Sequence, residues 1–322
     1  MIERPTAIRS FLGPIALLVG ALSLFQTAPS SSLISSATTP ATARGSDWLG
    51  KLNESVEYVV LNDQTKPPVR ATSFLLLDQT SNDVLVSRQS DLSLPVASTT
   101  KMVTALVARS IFDLEKVITV PRSATLVPGS KINLLAGEKI TVHNLLRALL
   151  IQSANDAAFT LAQAKSDNPD QFVNKMNEFV RANRLIKTTF NDPAGLDDEV
   201  GRSSAFELSQ IARLVLQDPI LAPIVATGGT SIASVNGNLV HPLTNSNRLV
   251  LADSPYFLPL AIGIKTGFTN AAGHCLVAAY KIKDRVVIGV VLSTSESTIE
   301  ASAKEMRRLF LWAESRLEVR AY

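Results

Sequence analysis

Two groups of strand-type runs near opposite ends of the chain, with helical periodicity between them, limit the folds this sequence can adopt. "TSFLLLDQ" and "DVLVSRQ" are short β-type runs separated by "TSN", a hairpin signal. A helix is expected to open after Pro95 and run to about Phe112. The middle then carries "TVHNLLRALLIQ", "ANDAAFTLAQAK", "PDQFVNKMNEFVRANR" and "SAFELSQIARLVLQ", with apolar residues three and four apart behind Asp, Asn, Ser or Pro starts. Strands return as "TSIASVNG", "LPLAIGIKTG", "GHCLVAAYKIK" and "DRVVIGVVLST", the last two joined tightly through Lys283-Asp284. A closing helix over residues 297–318 turns Ile299, Met306, Leu309, Phe310 and Leu317 toward the core. Hairpin-joined strands flanked by helices predict an α+β chain of three α/β/α layers. Its central sheet is antiparallel, and an all-helical subdomain is inserted over roughly residues 115–230. No internal repeat is visible, which argues against a solenoid or propeller.

With 46% hydrophobic and 18% charged residues in 322, the chain has the composition of a folded, core-forming protein. Its net charge of +3 is only mildly basic. The densest basic stretch, "EMRRLF", follows an amphipathic pattern, so nucleic acid is not an expected partner. A single cysteine, Cys275, excludes an intrachain disulfide and a cysteine-based metal site, and "HCLVAAY" places it on a buried strand. His143, His241 and His274 show no metal-ligand spacing and read as ordinary surface or partly buried residues. No metal or cofactor is expected.

Arg4 and Arg9 precede "FLGPIALLVGALSLF", Phe11 to Phe25, which fits a secretory apolar segment better than a full span of roughly twenty residues. The Ser/Thr/Ala/Pro-rich stretch behind it contains Ala41-Thr42-Ala43, an A-x-A cleavage candidate. Residues 1–45 are therefore read as a signal peptide or N-terminal anchor plus linker, and 46–322 as the folded domain, placed on the extracytoplasmic side. Membrane association is expected only through an uncleaved N-terminal segment.

Three short motifs carry candidate chemistry. "PVASTTKMVTAL" sets Ser98 and Lys101 three apart at a helix start. Ser98 can be an N-cap with Lys101 solvated in the first turn, or a neutral Lys101 can take the proton of Ser98 and make it a nucleophile. "LLIQSANDAAFTLA" puts Ser153 and Asn155 at a junction of two helical patterns, where capping is the ordinary reading. "IGIKTGFTNAAGH" puts Lys265 in an otherwise buried strand, where a charge needs a rim or a counter-charge such as an anionic substrate. Gly267 beside it would let another backbone, such as an extended peptide, come close.

In that order, Ser98-x-x-Lys101, Ser153-x-Asn155 and Lys265-Thr266-Gly267 resemble the active-site set of the penicillin-binding proteins and serine β-lactamases. "PVASTTKMVTALVA", "GEKITVHNLLRALLIQSANDAAFTLA", "FNDPAGLD" and "GIKTGFTNAAGHCLVAA" are similar to the low-molecular-mass D-alanyl-D-alanine carboxypeptidases over nearly all of residues 70–318. The resemblance implies that Ser98 attacks the D-alanyl-D-alanine bond of a peptidoglycan stem peptide and forms an acyl-enzyme that β-lactams trap. Lys101 would be the base, its pKa lowered by burial and by Lys265. Asn155 would hold the acyl-chain amide and the Lys101 amine, and Ser153 would relay a proton to the leaving amine. The backbone N–H groups of Ser98 and Phe268 would form the oxyanion hole, and Lys265, Thr266 and Thr269 would bind the terminal carboxylate.

Several departures accompany the resemblance. No E-x-x-L-N lies between Ser153 and Lys265, and Glu178 and Glu207 read as solvated, so no deacylating carboxylate is expected. Thr99 and Thr100 follow the nucleophile where relatives usually carry a bulkier aliphatic first. Ser302 stands where relatives often have a carboxylate-binding arginine, leaving Arg202 and Arg248 as the other cations to consider. An additional C-terminal β-domain and anchor are not expected. A D,D-endopeptidase and an inactive penicillin-binding sensor are the alternative activities on the same fold.

Overall fold

The computed structural model describes residue 67 and residues 69–166, 168–197, 200–294 and 298–317. The apolar N-terminal run, the linker and both end residues of the expected closing helix lie outside the described residues. Among the described residues, no helix is long and apolar enough to cross a membrane.

β1 (Ser73–Asp78) and β2 (Val84–Arg88) form the first hairpin, with Asn82 in the turn at φ 62°. Asparagine tolerates that left-handed geometry better than most residues. A 3₁₀ turn, Ala97–Thr100, leads into α1 (Lys101–Ile111). There follow β3 (Val117–Thr119), α2 (Arg122–Thr125), β4 (Lys139–Thr141), α3 (Val142–Ile151) and α4 (Asn155–Ala162). α5 (Asp170–Ala182), α6 (Ala205–Gln217) and α7 (Leu221–Ala226) come next, then the hairpin of β5 (Gly229–Ala233) and β6 (Val240–Thr244). β7 (Ala261–Thr269), β8 (Gly273–Ile282), β9 (Arg285–Thr294) and α8 (Ala301–Leu317) complete the described fold.

The main sheet runs in the order β2-β1-β9-β8-β7, every neighbour antiparallel. Phe74, Leu76, Leu276, Ala278, Val287 and Val291 share a core with Met306, Leu309 and Phe310 of α8. Leu75 and Leu77 alternate with those of β1, so they point to the other face, where α6 packs. β1 is buried along its whole length for that reason, and each such leucine contributes roughly 1.5–3 kcal/mol of burial. This is the expected three-layer arrangement. Gly289 sits where α8 comes closest: a Cβ there would lie 2.4 Å from the Met306 sulfur.

Three expectations need correction. The inserted region is not purely helical, because the two-stranded β3-β4 pair lies inside it; strands of three residues are too short to show an alternation. Ile299 precedes α8 instead of lying on its inner face, and is 69% exposed. Glu207 is 3% exposed, not solvated. Its carboxylate accepts from the Lys187 N–H at 2.9 Å and the Thr188 hydroxyl at 2.5 Å, tying the segment after α5 to α6, and burial pushes its pKa up. Glu178 is exposed as expected. Cys275 is buried on β8, while His241 is buried against Glu138, with Nε2 2.9 Å from the carboxylate.

Candidate active site

The 3₁₀ turn before α1 is tight because Ala97 is held at φ 49°, an uncommon conformation for a residue with a side chain. It leaves Ser98 half-buried at the head of α1, whose first residue is Lys101. Lys101 is fully buried, which excludes the solvated first-turn reading. Its Nζ lies 2.7 Å from Ser98 Oγ and donates to the Ala194 carbonyl at 2.7 Å. Burial lowers the Lys101 pKa to about 7, against the opposing pull of Asp192 and Asp156. Once neutral, the amine has a lone pair, and the Ser98 hydroxyl can donate to it across the same contact.

The carbonyl that receives Lys101 belongs to the "FNDPAGLD" turn, to which the sequence assigns no role in the site, although its D-P-x-G pattern is a turn signal. Asp192 accepts the N–H groups of Ala194, Gly195 and Leu196 at 2.6, 2.8 and 3.0 Å. So pinned, the turn also offers the Pro193 carbonyl to the Thr104 hydroxyl at 2.6 Å. Gly195, at φ 75°, touches the nucleophile turn: a Cβ there would fall 2.0 Å from the Ala97 carbonyl oxygen.

Ser153 lies between α3 and α4, itself at φ 63°. Its Oγ accepts from Lys265 Nζ at 2.8 Å. Lys265 also donates to the Thr266 carbonyl at 2.9 Å and is 1% exposed. Its pKa is held well below the usual lysine range by burial and by Lys101. The two cations repel one another, and Lys265 is not among the described residues that line the cleft. Asn155 opens α4 and donates to the Pro128 carbonyl at 2.6 Å, while its Oδ1 is buried with no partner. The expected bond between Asn155 and Lys101 is not made; the amine uses the Ala194 carbonyl instead.

β7 is an edge strand, so its outer side borders the cleft. A Cβ on Gly267 would meet the Val96 carbonyl at 2.9 Å and Ser98 N at 3.1 Å, so the backbone it admits is the chain's own nucleophile turn. Phe268, 56% exposed, stacks on His274 with ring centroids 4.3 Å apart. Thr266 Oγ1 is 2.6 Å from Ser246 Oγ, and Thr269 Oγ1 accepts from the Ala272 N–H at 3.1 Å. Ser98, Ser153, Asn155, Thr266, Phe268 and Thr269 all line one cleft of about 960 Å³, within the size range of ligand sites. Ser302 lines it too, and Asp197 is the one carboxylate among its described lining residues.

The Lys101 environment predicts a pH profile. Only the neutral amine can take the Ser98 proton, so the second-order acylation rate rises about tenfold per pH unit below about 7 and levels off above it. Stopped-time labelling with penicillin from acid to mildly alkaline pH measures this. A rate flat through that range would remove Lys101 from the base role.

A family profile described as D-alanyl-D-alanine carboxypeptidase matches residues 61–296. The D-alanyl-D-alanine carboxypeptidase DacF of Bacillus subtilis is 31% identical over 230 residues, which cover 70% of this chain and 58% of DacF. The D-alanyl-D-alanine endopeptidase of Pseudomonas aeruginosa is 33% identical over 246 residues, covering 76% of this chain and 77% of that protein. The solved structure of a D-alanyl-D-alanine carboxypeptidase from Mycobacterium tuberculosis superposes with a TM-score of 0.70 at 29% identity, covering 80% of this chain and 96% of that one. With a profile match over most of its length and a serine–lysine cleft on the matching fold, the chain belongs to the D-alanyl-D-alanine carboxypeptidase family.

Proposed function

We propose that the chain is an exported serine D-alanyl-D-alanine carboxypeptidase that removes the terminal D-alanine from peptidoglycan stem peptides. The observation that carries this reading is the 2.7 Å contact between Ser98 Oγ and a buried Lys101 amine whose pKa is about 7. Ser98 attacks the carbonyl between the two D-alanines as its proton passes to Lys101. General-base help of this kind is worth roughly 10²- to 10⁴-fold. The developing oxyanion is held by the backbone N–H groups of Ser98 and Phe268, one such donor being worth about 3 kcal/mol. The partnerless Asn155 Oδ1 is placed to accept an N–H of the acyl chain, since a buried acceptor left unmade is costly. Ser153, already joined to Lys265, passes a proton to the departing amine of D-alanine. Water then releases the shortened peptide from Ser98.

β-Lactams, which mimic the acyl donor, acylate Ser98 and stay. Among the described residues lining the cleft, the one carboxylate, Asp197, is exposed, which leaves no buried carboxylate there to activate water for their release. Export by the N-terminal apolar segment brings the domain to its substrate outside the cytoplasm, and the membrane is contacted only if that segment is retained.

A second reading, a D,D-endopeptidase cutting cross-links between stems, is favoured by the match to the Pseudomonas aeruginosa endopeptidase over 77% of its length. One experiment separates the possibilities: fluorescent penicillin labelling followed by a digest of purified muropeptides. Labelling with release of free D-alanine from pentapeptide monomers is the expected result. Conversion of cross-linked dimers to monomers without D-alanine release would replace the carboxypeptidase by the endopeptidase, and absence of both labelling and digestion would leave a non-catalytic fold.

A further inference from the structure

We propose that Arg248 grips the carboxylate of the substrate's last residue and thereby sets the preference for a free chain end. This rests on the carboxypeptidase reading above, and three features of the cleft support it.

The first is how firmly Arg248 is presented. In the segment between β6 and β7, Asn245, Asn247 and Leu249 are buried, while Ser246 is exposed and Arg248 half-buried. Asn245 donates to the Val225 and Thr227 carbonyls at 3.2 and 2.8 Å, and Asn247 to the Gly263 carbonyl at 2.6 Å. Their Oδ1 atoms in turn accept the N–H groups of Asn247 and Leu249 at 2.8 and 3.0 Å. Every second side chain is thus anchored inward, and those between are turned out. Ser246 shows where outward leads, because its Oγ reaches Thr266 Oγ1 in the cleft at 2.6 Å. Arg248, two residues on, lines the same cleft.

The second feature is charge. Among the described residues that line the cleft, Arg248 is the only lysine or arginine. Lys265 stands beside Thr266 but is 1% exposed and engaged by Ser153 and the Thr266 carbonyl. Burial also holds Lys265 well below the usual lysine range, which weakens it as a fixed charge for an anion. Arg202 is turned away, donating to the Ser93 carbonyl at 3.1 Å, and does not line the cleft. An arginine stays charged at any working pH, and its planar fork matches a carboxylate.

The third is an incompletely used guanidinium. Arg248 Nη2 lies 3.6 Å from Glu300 Oε1, with both side chains about one third exposed at 34% and 33%. A charge-assisted bond is ordinarily about 2.7–2.9 Å, so this pair is loose. With five N–H donors the guanidinium can keep Glu300 and still offer an edge to an incoming carboxylate, flanked by the Ser246 and Thr266 hydroxyls.

The test compares an acyl-L-Lys-D-Ala-D-Ala peptide with its C-terminal carboxamide on the wild-type chain, Arg248→Gln and Arg248→Lys, with thermal unfolding confirming that each variant is folded. In Arg248→Gln, kcat/KM for the free acid falls about 10- to 100-fold while the carboxamide changes less than about threefold, and Arg248→Lys recovers part of the loss. Equal losses for acid and amide, or no loss for either, would overturn the assignment. Benzylpenicillin and its methyl ester, read as acylation of Ser98, form a second pair independent of D-alanine release. If the wild-type chain acylates but frees no D-alanine, the carboxypeptidase reading fails while this pair still decides the role of Arg248: selective loss with the free acid upholds it, and parallel rates reject it.

Discussion

Ser98→Ala abolishes covalent labelling by penicillin, and Lys101→Ala slows acylation almost as far, each by at least about 10⁴-fold. The expectation follows from the geometry of a single unit: one hydroxyl and one buried amine, 2.7 Å apart. Removing Ser98 takes a small group from a half-buried turn and leaves the fold intact. Removing Lys101 deletes the group on which the Ala194 carbonyl, Asp192 and Asp156 converge, so its unfolding temperature is measured alongside. Labelling that survives in Ser98→Ala would place the nucleophile elsewhere, and a near wild-type acylation rate in a folded Lys101→Ala would remove Lys101 from the base role.

Gly195→Ala is expected to cost about 10²-fold or more in acylation and to lower the unfolding temperature, although Gly195 takes no part in the chemistry. Two causes combine. At φ 75° an L side chain is strained, typically by about 1–2 kcal/mol. The added Cβ would also overlap the Ala97 carbonyl oxygen at 2.0 Å and crowd Thr100 Oγ1 at 2.7 Å. Relief means moving the nucleophile turn, and a displacement of about 1 Å at a reacting group can cost 10²-fold in rate. Gly137→Ala is the control: at φ 85° it has the same backbone strain, but nothing lies within 4 Å of the new Cβ. It should lose a similar small amount of stability and no activity. Acylation at the wild-type rate in Gly195→Ala would show that the 192–196 turn does not clamp the nucleophile.

The layers and most elements were readable because local pattern and burial agree. Leu75 to Leu77 form a continuous apolar run since β1 is covered on both faces, and α3 and α6 repeat at the period of a helix with one inner side. What escaped was set by partners distant in sequence. Glu207 occupies an ordinary polar position of a helical pattern, and only the Lys187–Thr188 segment folding over it makes it a buried acceptor. Ile299 looked like a core residue because the helix start was placed too early, which put it in phase with Met306. For the candidate site, residue types and order were legible, but not which groups are engaged. Nothing local says that Lys265 bonds Ser153 or that Gly267 accommodates Val96 and Ser98; nor that Arg248 lies on the cleft wall.

The pairing of β1 with β9 has a consequence for when the protein can act. Ser73 lies opposite Leu292, so the second strand of the sheet waits for almost the last one before its free edge is covered. Loop-closure entropy must be met before such a distant pairing returns any energy, and sheets of this kind form late. Ser98, Lys101, Ser153 and Asn155 are all synthesised long before β7 to β9, yet Lys265 and the Gly267 face against the nucleophile turn arrive only with those strands. A growing or stalled chain therefore carries the nucleophile and its base without the wall that aligns them. The sheet must therefore close before Ser98 and Lys101 gain the wall that Gly267 provides against the nucleophile turn.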